Sequence, residues 1–167
     1  FDILLVEEMI EYSAPINNII LRGMPDLILK EKDTNFVWIV DHKFLAMITE
    51  GLVKKLPLDY QIHAYLKMGR EWLAKNYPDL MLRGAMYNIV RKPSKRLKKD
   101  QTMKEYQVEL FEDYSIRPTE FFYREMPIVT DKQTTNFDNF LNIVANDMTA
   151  KAASGEYLQN IFACDNY

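Results

Sequence analysis

An α/β fold, with a central mixed β-sheet and helices packed against it, is predicted by three features of the sequence. Three apolar, strand-like stretches lie between Phe1 and Phe44, separated by short polar connections. An amphipathic helical pattern follows over residues 58–76. A further strand-like run, residues 81–90, comes directly after it, and a helix followed by a strand suits a return crossing beside the same sheet. The chain has 167 residues, 48% of them hydrophobic, which fits one domain with a packed core rather than a disordered segment.

Element by element, residues 1–12 (FDILLVEEMIEY) are rich in β-compatible side chains and predict a strand, and residues 13–18 read as a turn around Pro15. Residues 19–29 predict a second strand, 30–35 (KEKDTN) a polar turn, and 36–44 a third strand. Val37, Trp38, Ile39 and Val40 are bunched as in a strand covered on both faces. The connections are too short for crossover helices, so these strands are expected to form an antiparallel meander. Residues 45–56 read as a loop. Pro57 opens the helix, Leu58, Ile62, Tyr65, Trp72 and Leu73 fall near helical spacing, and Pro78 closes it. Residues 91–104 form a basic connector, and 106–111 and 120–129 predict short strands. Thr130 or Asp131 can cap a last helix reaching about Ala153, with Phe137, Phe140, Leu141, Val144 and Met148 as its apolar stripe and Gly155 at its end.

Composition narrows the function classes. The formal net charge of −3 gives no global attraction to nucleic acid or anionic membrane, so any basic surface has to be local. No apolar run approaches the roughly 20 residues that span a bilayer, and no signal peptide is visible. No membrane association is expected. A single cysteine, Cys164, rules out an internal disulfide framework and suits a reducing, cytoplasmic setting. The chain opens in mid-pattern at Phe1, which reads as a fragment cut at one or both ends.

Two acids stand inside the most strand-like stretches, Asp26 and Asp41, with Lys43 two residues beyond the second. Alternation along a strand puts Asp41 and Lys43 on one face and Val40 and His42 on the other. A hairpin between residues 19–29 and 36–44 would bring Asp26 and Asp41 within a residue or two of each other. Neighbouring carboxylates repel, and burying one unpaired is costly. A divalent cation relieves both problems, and Mg²⁺ combines a few carboxylate oxygens with waters and phosphate oxygens. Asp41-His42-Lys43 is the only Asp/Glu-x-Lys triplet in the chain. A strand ion pair with Lys43 facing water remains the alternative reading. Gln61 and Tyr65, four apart, share one face of the following helix, where Tyr65 also suits the apolar stripe.

The order Gly23-x-x-Asp26, then Asp41-x-Lys43 at the end of an apolar strand, then Gln61-x-x-x-Tyr65 on a helix resembles the RecB-type exonuclease branch of the PD-(D/E)XK nuclease superfamily. Pro25-Asp26 supplies the "PD", and the segments Met86–Pro93 and Phe122–Arg124 also resemble those that follow the core in phage and bacterial members. The resemblance runs from about Phe1 to Cys164. It implies a restriction-endonuclease-like core and hydrolysis of DNA phosphodiesters by a metal-activated water. Asp26, Asp41 and the backbone carbonyl of His42 would ligate Mg²⁺ or Mn²⁺. Lys43 would orient the attacking water and offset transition-state charge. Gln61 would fix the lysine or a substrate phosphate, and Tyr65 would support that contact. The side chains of His42 and His63 are not expected to take part.

Some members of the branch hold an iron–sulfur cluster through four cysteines. One cysteine cannot, so no such cluster is expected here. Relatives also carry a further His or Glu on a preceding helix, for which Glu7 or Glu8 is at most a partial substitute.

The connector RKPSKRLKKDQTMK carries Arg91, Lys92, Lys95, Arg96, Lys98, Lys99 and Lys104 against Asp100, a net charge of +6 in a chain of −3. It reads either as a solvated loop or as a mobile phosphate-gripping loop. Phosphate contacts give affinity without sequence choice and weaken with salt. The expected partner is DNA, with a recombination or helicase protein as a further one, in a bacterial or phage-infected cytoplasm. The rival expectation is a nuclease fold kept as a non-catalytic DNA-binding or assembly module.

Overall fold

The computed structural model describes residues 1–13 and 19–155. Cys164 and most of the turn expected at residues 13–18 lie outside the described residues. The architecture is α/β: a mixed five-stranded sheet in the order β1-β4-β5-β6-β7, flanked by helices, with a separate two-stranded sheet formed by β2 and β3.

The first expected strand is two strands, β1 (Asp2–Val6) and β2 (Ile10–Ser13). Glu7 adopts φ 44°, a left-handed turn that ends β1, and its N–H bonds the carbonyl of Asp26 at 3.1 Å. The second expected strand is also split, into β3 (Ile20–Gly23) and β4 (Leu27–Lys30). The interruption contains Pro25, which has no N–H to give to a ladder. The β2–β3 hairpin is thus inserted between β1 and β4, which pair antiparallel in the main sheet. Strand β4 runs on through the polar turn into β5 (Phe36–Leu45), also antiparallel. The antiparallel neighbours expected of a meander are present, with the hairpin as an excursion from them.

Residues expected as loop hold a short helix, α1 (Glu50–Val53), and a 3₁₀ turn, Leu56–Leu58. Helix α2 (Tyr60–Asn76) begins at the cap Asp59 rather than at Pro57, so Leu58 is 59% exposed and not part of the apolar stripe. After α2, β6 (Met81–Arg91) returns parallel to β5, as the helix–strand order predicts.

Residues 106–111, expected as a strand, lie within a helix, α3 (Met103–Ile116). The alternation Tyr106, Val108, Leu110 imitates a strand, but Thr102 and Glu105 form a reciprocal capping box that starts a helix. The expected strand at 120–129 is reduced to β7 (Phe122–Glu125), preceded by a helical turn, α4 (Pro118–Phe121). Helix α5 (Asp131–Ser154) starts at Thr130 with a second capping box through Gln133 and ends at Gly155 at φ 72°. Of its expected stripe Phe137 is buried, whereas Met148 is exposed.

The core lies between α2 and one sheet face. Ile62, Leu66, Met68 and Leu73 of the helix meet Leu5, Ile28, Val37, Ile39, Ala85 and Ile89 of the strands. Gly69 lets the helix approach closely, since a Cβ there would collide with Ile39 Cδ1. This packing runs α2 along β5, with Gly69 over Ile39 and the first turn of the helix, at Gln61, beside Lys43.

Candidate functional site

The ladder between β4 and β5 pairs Leu27 with Val40, so one residue further on Asp26 stands opposite Asp41. Asp26 is not inside a strand, as the sequence suggests, but on the bend that leads into β4. Its Oδ2 accepts a hydrogen bond of 2.5 Å from the backbone N–H of His42, which fixes the carboxylate beside β5.

Asp41 is 4% exposed. Its Oδ2 is buried, and its partner is the Lys43 ammonium, with Nζ at 2.9 Å. Burial pushes the Asp41 carboxyl above the ordinary carboxylate range; Lys43 opposes this, while the nearby charges of Asp26 and Asp59 add to it. Buried carboxylates with a raised pKa and a charged partner cluster at functional sites.

Lys43 lies on the same strand face. Its ammonium donates to Gln61 Oε1 at 2.6 Å and sits 5.7 Å from the centre of the Tyr87 ring. Gln61 Nε2 donates to the Tyr65 hydroxyl at 3.1 Å, and that hydroxyl donates to the carbonyl of Met24 at 3.0 Å. A continuous chain of bonds thus runs from Lys43 through α2 to the backbone just before Asp26. Gly23 makes room for it: a Cβ there would stand 2.9 Å from Tyr65 Cε1 and 2.5 Å from Met68 Cε. The spacing Gly-x-x-Asp therefore has a packing reason as well as a chemical one.

The structure brings together Asp26, Asp41, Lys43, Gln61 and Tyr65, and adds two residues absent from the sequence reading. Asp59 caps α2, accepting from the Gln61 N–H at 2.9 Å, and also accepts from the Tyr87 hydroxyl at 2.8 Å. Tyr87 is fully buried and stands in register with Asp41 across the β5–β6 ladder. Burial first, then Asp59, push its hydroxyl well above the ordinary tyrosine range, so it stays protonated and donates. The helix-start signal at Asp59 was legible; its second bond to a distant strand was not.

In kind, the two carboxylates of Asp26 and Asp41, from neighbouring strand positions, are donors that a divalent cation of the Mg²⁺ type takes together with water and phosphate oxygens. Among the described residues no group of three or more His, Cys, Asp or Glu side chains is placed to hold a metal. The His42 ring is exposed, with Nδ1 3.1 Å from Asn88 Nδ2, and the His63 ring is buried with Nε2 3.0 Å from the Pro57 carbonyl. Neither side chain joins the acids.

The basic connector leaves β6 at Arg91, which is in register with Leu45, so it starts from the same end of the parallel strands as the acids. Part of its charge is matched. Lys95 lies 3.3 Å from Glu109 and Lys98 3.7 Å from Glu109, both pairs onto α3. Arg91 lies 3.5 Å from Glu120 and stacks over Phe121. Among the described residues Lys92, Arg96 and Lys99 have no carboxylate within ion-pair distance.

No helix among the described residues is long and apolar enough to cross a membrane. Comparison with protein-family models and with curated proteins gives no match.

Proposed function

We propose that this chain is a Mg²⁺- or Mn²⁺-dependent DNA nuclease with a restriction-endonuclease-like core of the PD-(D/E)XK type. Its reaction is phosphodiester hydrolysis, as an exonuclease of recombination, repair or phage replication in the cytoplasm, alone or with a helicase or recombination partner. The observation that carries the reading is the buried Asp41 carboxylate, set beside Asp26 and 2.9 Å from the Lys43 ammonium.

Asp26, Asp41 and the His42 carbonyl would hold the cation, which when bound lowers the pKa of water and neutralises charge on phosphate oxygens. Lys43 presents its ammonium where the scissile phosphate approaches, orienting the attacking water and offsetting the extra negative charge of the transition state. Gln61 holds that ammonium in place, and Tyr65 fixes which end of the Gln61 amide faces it. Lys92, Arg96 and Lys99, which no carboxylate of the described residues pairs, would grip the DNA backbone from the same end of the sheet, with Arg91, Lys95 and Lys98 beside them.

The test is cleavage of end-labelled single- and double-stranded DNA in Mg²⁺, Mn²⁺ or EDTA. Wild type cuts in either metal and not in EDTA, and Lys43→Ala abolishes cleavage while leaving folding and DNA binding intact. Equal cleavage by both proteins sinks the site assignment. DNA binding without cleavage by wild type in either metal favours the non-catalytic module instead.

A further inference from the structure

We propose that Asp59 and Tyr87 are positioning residues that hold Lys43 and Gln61 in their working geometry. This rests on the nuclease reading of the same site and identifies a support for it that lies outside the resemblance.

The ammonium of Lys43 has three neighbours: Asp41 Oδ2 at 2.9 Å, Gln61 Oε1 at 2.6 Å and the Tyr87 ring centre at 5.7 Å. The last two come from different elements, α2 and β6. Asp59 ties those elements together. One carboxylate oxygen takes the Gln61 backbone N–H and the other takes the Tyr87 hydroxyl. The first turn of α2, which carries Gln61, is thereby latched to the ring beneath the lysine. Other contacts hold this segment on its far side, with Leu56 buried, Gln133 Nε2 bonded to the Pro57 carbonyl at 3.3 Å and the Tyr60 ring on Phe140, but Asp59 is the residue that bonds it to β6. Tyr87, by contrast, is immobilised by complete burial, so the latch transfers the rigidity of the sheet to a helix end. Asp59 makes no hydrogen bond or ion pair with Lys43; its bonds go to Gln61 and Tyr87, and its charge also lies near Asp41.

Two variants break the Asp59–Tyr87 bond from opposite sides without removing the functional groups. Asp59→Ser keeps a helix-capping oxygen but is too short to keep both bonds. Tyr87→Phe keeps the ring under Lys43 and removes only the hydroxyl. Each is expected to lower kcat about 10- to 100-fold, the usual cost of losing an outer support, with KM and DNA affinity unchanged. The double variant is expected to be no worse than either single one, because both remove the same interaction. Asp59→Asn, which can serve both partners, is expected to recover most of the rate.

Crystal structures of wild type and Asp59→Ser give a readout that does not depend on cleavage: Gln61 Oε1 is expected to leave hydrogen-bonding distance of Lys43 Nζ in the variant. If wild type fails to cleave under any metal, the nuclease reading fails, and a displaced Gln61 still supports the latch. Wild-type kcat in both single variants, or Gln61 still bonded to Lys43 in the variant crystal, overturns the proposal. Additive losses in the double variant would also overturn it.

Discussion

Lys43 Nζ, on a strand, donates a 2.6 Å hydrogen bond to Gln61 Oε1, on the helix that packs over that strand. The side chains stand 18 positions apart in sequence, and the bond exists only because α2 lies close on β5. It makes the amide of Gln61 a part of the candidate site rather than a border of the apolar face.

Gln61→Ala removes the neutral acceptor that holds the ammonium. Cleavage is expected to fall about 10- to 100-fold with DNA affinity retained. Single-turnover cleavage alongside a binding isotherm measures both; a change in affinity alone would place Gln61 on the DNA instead.

Asp41→Asn tests the buried carboxylate through stability. Burial raises the Asp41 pKa, so the native state holds this proton more tightly than the unfolded chain does. Its favourable contribution is present at low pH and is lost as pH rises from the ordinary value of 3.8 through the raised one. In EDTA at neutral pH the variant is therefore expected to be at least as stable as wild type. Mg²⁺ or Mn²⁺ should stabilise wild type, by about 2.7 kcal/mol at a hundredfold excess over Kd, and not the variant. The gain should shrink as pH falls into the window where Asp41 takes up its proton. Thermal melts over a pH series, with and without metal, decide this.

Gly23→Ala tests the close approach of α2. The added Cβ would stand 2.5 Å from Met68 Cε, which can swing away, and 2.9 Å from the Tyr65 ring, which is buried and bonded. The expected loss is about 1–3 kcal/mol, read by denaturant unfolding, with reduced cleavage as Tyr65 is pushed off Gln61. An unchanged unfolding curve would show that the ring yields freely.

The ion pairs on α3 divide the basic connector. Replacing Lys92, Arg96 and Lys99 by Gln is expected to weaken DNA binding and to lower the slope of log K against log salt by about 0.9 per lost phosphate contact on duplex DNA. Replacing Lys95 and Lys98, which face Glu109, is expected to do less. Parallel salt plots for all three proteins would remove this segment from the interface.

The amino-acid order alone was enough for the α/β class, the long helix before a strand that returns beside the sheet, and the last helix from Thr130 to Gly155. Those elements rest on periodicity and end signals that neighbours in sequence carry. It also singled out Asp26 and Asp41, because acids inside apolar runs contradict core packing, and then Lys43 by its spacing from Asp41 and Gln61 and Tyr65 by helical spacing and the family resemblance. Where local pattern and distant pairing disagreed, the sequence misled. Residues 1–12 and 19–29 look continuous, yet each is broken, since β1 finds its partner in β4 while β2 and β3 pair apart. Residues 106–111 alternate like a strand but follow a capping box into a helix. The tertiary structure alone decided that Asp41 is buried with Lys43 as its partner and that Asp59 bonds Tyr87, 28 positions away. The physical reason is that satisfaction of a buried polar atom depends on which groups the fold brings within about 3 Å, and that distance is set by packing between elements rather than by spacing along the chain.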